Sequence, residues 1–262
     1  NGWTWDLASL MNELEYRRQI MKNLLAAIAL FLPVLLQAST REPFSINFWP
    51  RFNWIGTELE STAMDLFSEE DHLIISDNFW ARNKLYSTAY NMDPSRVLLK
   101  VTGHGYRYLP TEQIRTRQGD SAGIFLWGRS EVPALREARR FCDDNNMIFC
   151  AALDKSEAKR RGDREILLDE CQVFVIYYDR SLPADPAKVA GEFLDTARQA
   201  REYAPEVKVW GAVELNIRDN SPEQILALID LIDEQLDGMV LIFDQNTDQI
   251  MTAEGVLRKL RG

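Results

Sequence analysis

The segment VKVWGAVELN, Val207 to Asn216, sets residues able to do chemistry two positions apart. Val207, Val209, Val213 and Leu215 make one row of a strand, and Lys208, Trp210, Ala212, Glu214 and Asn216 make the other. Successive side chains of a strand point to opposite faces. A lysine, an indole, a carboxylate and an amide therefore share one side. Glu214, partly buried near the indole, is suited to hold and deliver a proton. Asn216, one step further out, could orient a hydroxyl of a ligand, with Trp210 as a deeper apolar floor. Such a row needs a closed sheet whose inner face differs from the face that packs on helices.

The elements that could build that sheet are legible. Eight apolar runs of strand length succeed one another: FSINFW (44–49), HLIISD (72–77), VLLKVTG (97–103), GIFLWG (123–128), MIFCAALD (147–154), VFVIYYD (173–179), VKVWGAVEL (207–215) and MVLIFD (239–244). Amphipathic segments separate them, notably 132–145, 187–203 and 222–236. The last opens with Asn220-Ser221-Pro222-Glu223, a cap with proline at the first helical position. Segments 109–119 and 155–169 are the weakest helices, being short and heavily charged. Alternating strands and helices imply parallel βαβ units. Eight of them in roughly 220 residues predict a single (β/α)8 barrel of TIM type over 39–262. A doubly wound open sheet is the alternative, but no G-x-G-x-x-G follows the first strand and no Gly-rich phosphate loop follows any strand.

In a barrel, side chains alternate between the interior and the helix layer. That places Ser45, Asn47 and Trp49 inside the first strand, and Lys100, Thr102 and His104 inside the third. The fourth should turn Phe125, Trp127 and Arg129 inward. Active sites of such barrels lie at the carboxyl ends of the strands. The candidate acid–base carboxylates there are Glu214, Asp179 and Asp154, with Asp179 slightly favoured as the partner of Glu214. Asp77, Asp154, Asp179 and Asp244 could equally cap the helices that follow them. Trp49, Trp80, His104, Trp127, Arg129, Tyr178, Asn216 and Asp244 are the candidate ligand-binding residues. Lys100, mid-strand and inward, could form a Schiff base; a buried ion pair with an acid such as Asp77 is the simpler expectation. Lys208, near the start of its strand, reads as a solvated lysine at the barrel bottom.

Several chemistries are set aside. His72 and His104 are the only histidines, too few for a multi-histidine metal centre. No G-x-S-x-G elbow accompanies His104. Cys142, Cys150 and Cys171 lack a C-x-x-C pairing and read as small buried hydrophobes. No metal and no cofactor are expected. A net charge of −10, with no basic run, argues against nucleic acid as a partner.

Residues 1–38 read as an upstream segment followed by a secretory signal. Met21-Lys22 precedes an apolar run from Leu24 to Leu36 that closes in Gln37-Ala38-Ser39. The run of roughly 13 residues is too short for a membrane span. Met21 is the expected start, Ser39 the expected mature end, and the location secreted or periplasmic. Paired carboxylates at a mouth lined by aromatics suit glycosidic bond cleavage, which places the two groups about 5 to 9.5 Å apart. In general plan the chain resembles a compact, secreted glycoside-hydrolase-type barrel. It carries Gly128-Arg129-Ser130-Glu131 where the largest retaining group has an Asn-Glu pair, and it has no D-x-x-D-x-D-x-E run. The expected partner is thus a carbohydrate or other small polar ligand. The alternative is a barrel that binds a glycan or another envelope component without turning it over.

Overall fold

The computed structural model describes residues 44–51, 72–76, 94–102, 122–178, 185–215, 221–244 and 247–261. The chain divides into Asn1–Pro43 and Phe44–Gly262, and the described residues belong to the second unit. The expected signal segment and its boundary after residue 38 lie outside them.

Eight strands follow in order: β1 (Ser45–Arg51), β2 (Leu73–Ser76), β3 (Val97–Thr102), β4 (Gly123–Trp127), β5 (Ile148–Asp154), β6 (Val173–Tyr178), β7 (Lys208–Glu214) and β8 (Gly238–Asp244). Each pairs in parallel with its predecessor, and β8 returns to β1 to close the barrel. The protein is a TIM-type barrel, as its strand–helix alternation implies. The described helices are α1 (Val132–Asp144), α2 (Lys155–Ala158), α3 (Arg161–Leu168), α4 (Pro186–Tyr203), α5 (Pro222–Ile232) and α6 (Thr247–Arg261). The charged segment 155–169 splits into α2 and α3 rather than forming one helix.

Helix starts follow local chemistry. Ser221 accepts from the Gln224 amide at 3.3 Å while the Gln224 side chain accepts from the Ser221 amide at 2.8 Å, a reciprocal cap on α5. Asp185 caps α4 through the Ala187 amide at 3.0 Å, with Pro186 next in line. Asp154 caps α2. The helix α1 ends in Asn145-Asn146, where Asn146 takes a φ of 53°, the left-handed region that asparagine tolerates best after glycine.

Alternation sorts the core into two shells. Ile46, Phe48, Val97, Val101, Val209, Val213 and Leu241 pack outward against helix residues such as Leu135, Phe193 and Leu228. Trp49, Ile74, Leu98, Phe125, Cys150, Val175, Tyr177, Trp210 and Ile242 fill the barrel. Burying a side chain of this size contributes about 1.5–3 kcal/mol. Among the described residues, Asn47 is the fully buried polar residue of this interior. It donates to Ser45 Oγ at 3.0 Å and accepts from the His72 amide at 3.1 Å, which ties β1 to the start of β2. The bottom end also explains one glycine. A Cβ at Gly238 would stand 2.8 Å from the carbonyl oxygen of Ser45, its register partner on β1.

Candidate active site at the carboxyl end of the barrel

Three aromatic rings from three strands meet at the carboxyl end. The rings of Trp49 and Trp127 lie edge to face at 4.7 Å, and those of Trp127 and Tyr177 at 4.5 Å. Phe125, one layer deeper, stacks 6.3 Å from Trp127. Edge-to-face pairs of this kind are worth about 0.5–1.5 kcal/mol beyond the area they bury. Trp49 is almost wholly covered, while Trp127 keeps part of its surface open. Together the three rings form a floor spanning the barrel.

Glu214 stands at the end of β7 on the inward row, half-buried, as the alternation of VKVWGAVELN implies. The hydroxyl of Tyr177 donates to its Oε2 at 2.9 Å. That bond fixes the carboxylate at the edge of the aromatic floor. Trp210 lies a layer deeper on the same row, with its ring 6.0 Å from that of His72. Lys208, at the opposite end of β7, is exposed, as expected of a barrel-bottom lysine.

Asp154 ends the inward row of β5, after Cys150 and Ala152, and is paired in register with Tyr177. Its Oδ1 accepts from the amides of Ser156 and Glu157, both at 2.8 Å, and from the Ser156 hydroxyl at 2.6 Å. Burial opposes its ionisation, but those hydrogen bonds and nearby Arg160 outweigh it. The carboxyl is held below its ordinary range. Lys100 also faces inward, its Nζ 4.7 Å from the centroid of the Trp49 ring.

Two expected ligand-binding residues point elsewhere. Tyr178 faces the helix layer, edge to face with Phe193 at 6.3 Å, and the Lys155 ammonium lies 3.8 Å from its ring centroid. On β6 the inward row is Val173, Val175 and Tyr177, so Tyr177 takes the place anticipated for its neighbour. Arg129 does not continue the inward row of β4. Gly128 adopts a φ of 84°, which ends the alternation at Trp127. The Arg129 guanidinium instead meets Asp163 at 2.6 Å and Glu157 at 2.7 Å. Asp244 closes β8 opposite Arg51, its side chain outside the described residues. Asp77, Trp80, His104, Asp179 and Asn216 also lie outside them.

Sequence reasoning sets Tyr177 and Tyr178 together at the end of their strand and selects Tyr178, not Tyr177, as the binding residue. Both rows of VFVIYYD are apolar up to the tyrosine pair, so no polar row marks which tyrosine turns inward. Among the described residues, no group of three histidines, cysteines or acids could hold a metal ion, and no helix is long and apolar enough to cross a membrane.

No family model and no curated protein matches the chain. Solved structures do match it. Concanavalin B aligns with 82% of this chain and 98% of its own, at 12% identity and a TM-score of 0.57. For 3-keto-L-gulonate-6-phosphate decarboxylase from Vibrio cholerae the figures are 85% and 98%, 14% and 0.51. The spore cortex-lytic enzyme SleL from Bacillus megaterium aligns over 82% of this chain and 74% of its own, at 10% identity and a TM-score of 0.52. At these identities the likeness is one of fold.

Proposed function

We propose that the barrel mouth binds a glycan and cleaves it by carboxylate acid–base chemistry. The observation that carries this reading is the Tyr177–Glu214 hydrogen bond at the edge of the Trp49–Trp127–Tyr177 floor. A carboxylate fixed beside open tryptophan surface can address the oxygen of a bond in a sugar stacked on that surface. Glu214 is the acid–base residue of this reading. Asp154, kept ionised by its cap, supports the partner role. The two residues stand on strands two apart, a backbone separation of about 10 Å. Side chains reaching inward from there suit the glycosidase range of about 5 to 9.5 Å. Export through a signal in residues 21–38 belongs to the same proposal, since it brings the protein to polymeric glycans. Fold alone does not choose the chemistry, because the matched barrels include both a sugar-phosphate decarboxylase and a cortex-lytic enzyme.

The test is turnover. Glu214→Gln keeps the volume and an acceptor for Tyr177 but removes the titrating group. It should abolish release of reducing ends from any glycan the wild type cleaves, a loss of about 10²-fold or more, with little change in Tm. Full activity in the variant makes Glu214 structural. Binding without cleavage by the wild type, across a broad glycan panel, assigns the barrel to glycan recognition instead.

A further inference from the structure

We infer that the aromatic floor seats one sugar ring, on Trp127, so that a glycan meets it through a single pyranose unit; the inference rests on the glycan reading above. A pyranose buries its flat C–H face against one aromatic plane, and that burial draws it out of water. The number of open planes in the floor then sets the number of sugars it holds.

The other planes of the floor are taken. Phe125 lies one layer deeper at 22° to Trp127, and so backs the lower face of the indole. The Trp49 ring is turned 68° from Trp127 and is 4% exposed. The Lys100 ammonium lies over it, 4.7 Å from its centroid. The Tyr177 ring is turned 62° from Trp127 and is 9% exposed. Its hydroxyl bond to Glu214 holds it in that attitude. Of the three rings, Trp127 is the one that keeps open surface. Two successive sugars would need two such planes side by side and nearly parallel. Rings tilted by 62° and 68° offer instead one base with two shoulders. The shoulders flank one unit and turn the next away. The seated unit has Glu214 beyond its Tyr177 side, so its own glycosidic oxygen is the one that the carboxylate addresses.

The probes are β-1,4-linked glucose and N-acetylglucosamine oligosaccharides, from disaccharide to hexasaccharide. Calorimetric titration of the full chain against Trp127→Leu should show a loss of roughly tenfold in the variant. That factor should be the same for the shortest and the longest oligomer, and Trp127→Phe should recover most of it. A factor that grows with chain length places further units on the floor and overturns the inference, leaving the glycan reading standing. A folded Trp127→Leu that binds as tightly as wild type overturns it too. So does failure of both series to bind, in which case the broad glycan panel alone decides the glycan reading. Should Trp127→Leu not fold, wild type with isotope-labelled tryptophan decides. Nuclear Overhauser contacts from the Trp127 ring to C–H protons of one sugar unit support the inference, and contacts to two units overturn it.

Discussion

At Asp154 one oxygen, Oδ1, holds the start of α2, and the rest of the group stays on the inward row of the barrel. Structure and chemistry can be separated there by two substitutions. Asparagine keeps an acceptor for the Ser156 and Glu157 amides and is as good a cap as aspartate. Alanine removes the cap, at a cost of about 1 kcal/mol. The carboxyl's folded pKa lies below its ordinary 3.8. Its charge therefore stabilises the fold above the unfolded pKa, and that contribution is lost as pH falls through the folded value. Chemical denaturation should accordingly show Asp154→Ala weaker than wild type at pH 7 and the gap narrowing below about pH 4. The charge part of the gap stays small, because the group is partly exposed and solvent screens it. Asp154→Asn should leave stability nearly unchanged and lower turnover. An Asp154→Asn protein with full turnover would reduce this residue to a cap.

Among the elements, the strands and their faces were the most legible. Binary alternation places Trp49, Lys100, Phe125, Trp127, Trp210 and Glu214 inside, because the helix-facing rows of their strands are apolar. Legibility failed where that contrast is missing. At Tyr177 and Tyr178 both rows are apolar, and at Arg129 a positive φ one residue earlier ends the alternation. The division of 155–169 into α2 and α3 was also hidden, since charge density marks a weak helix without marking its break. Element contacts give a further prediction at the β8–β1 seam. Gly238 admits the Ser45 backbone so closely that a Cβ would meet its carbonyl oxygen at 2.8 Å and Trp210 Cδ1 at 3.1 Å. Backbone cannot move aside as a side-chain tip can. Gly238→Ala should cost about 1–3 kcal/mol, read as a lower denaturation midpoint with an unchanged slope. A variant as stable as wild type would mean that the β8–β1 seam yields to the added methyl.

For the molecule as a whole, the three cysteines report on cooperativity. Cys150 lies inside the barrel, while Cys142 and Cys171 lie in the shell between barrel and helices. All three are buried and free. Burial pushes the Cys142 and Cys171 thiols up to about 12, and that of Cys150 well above its ordinary value. The thiolate is the reactive form, so native protein should resist alkylation at pH 8. Mass spectrometry along a denaturant series should find adducts appearing together with the loss of secondary structure. A fast native adduct on any one of them would show that its shell opens on its own.

The seam of the barrel also has a consequence in time. Ser45 on β1 bonds to Asp237, 192 residues further along the chain. A ribosome adding about 5–20 residues per second needs on the order of 10–40 s to bridge that gap. Throughout that interval one edge of β1 offers bare amides and carbonyls to any passing strand, the condition under which nascent sheets misassociate. Closure waits for nearly the last element to be synthesised.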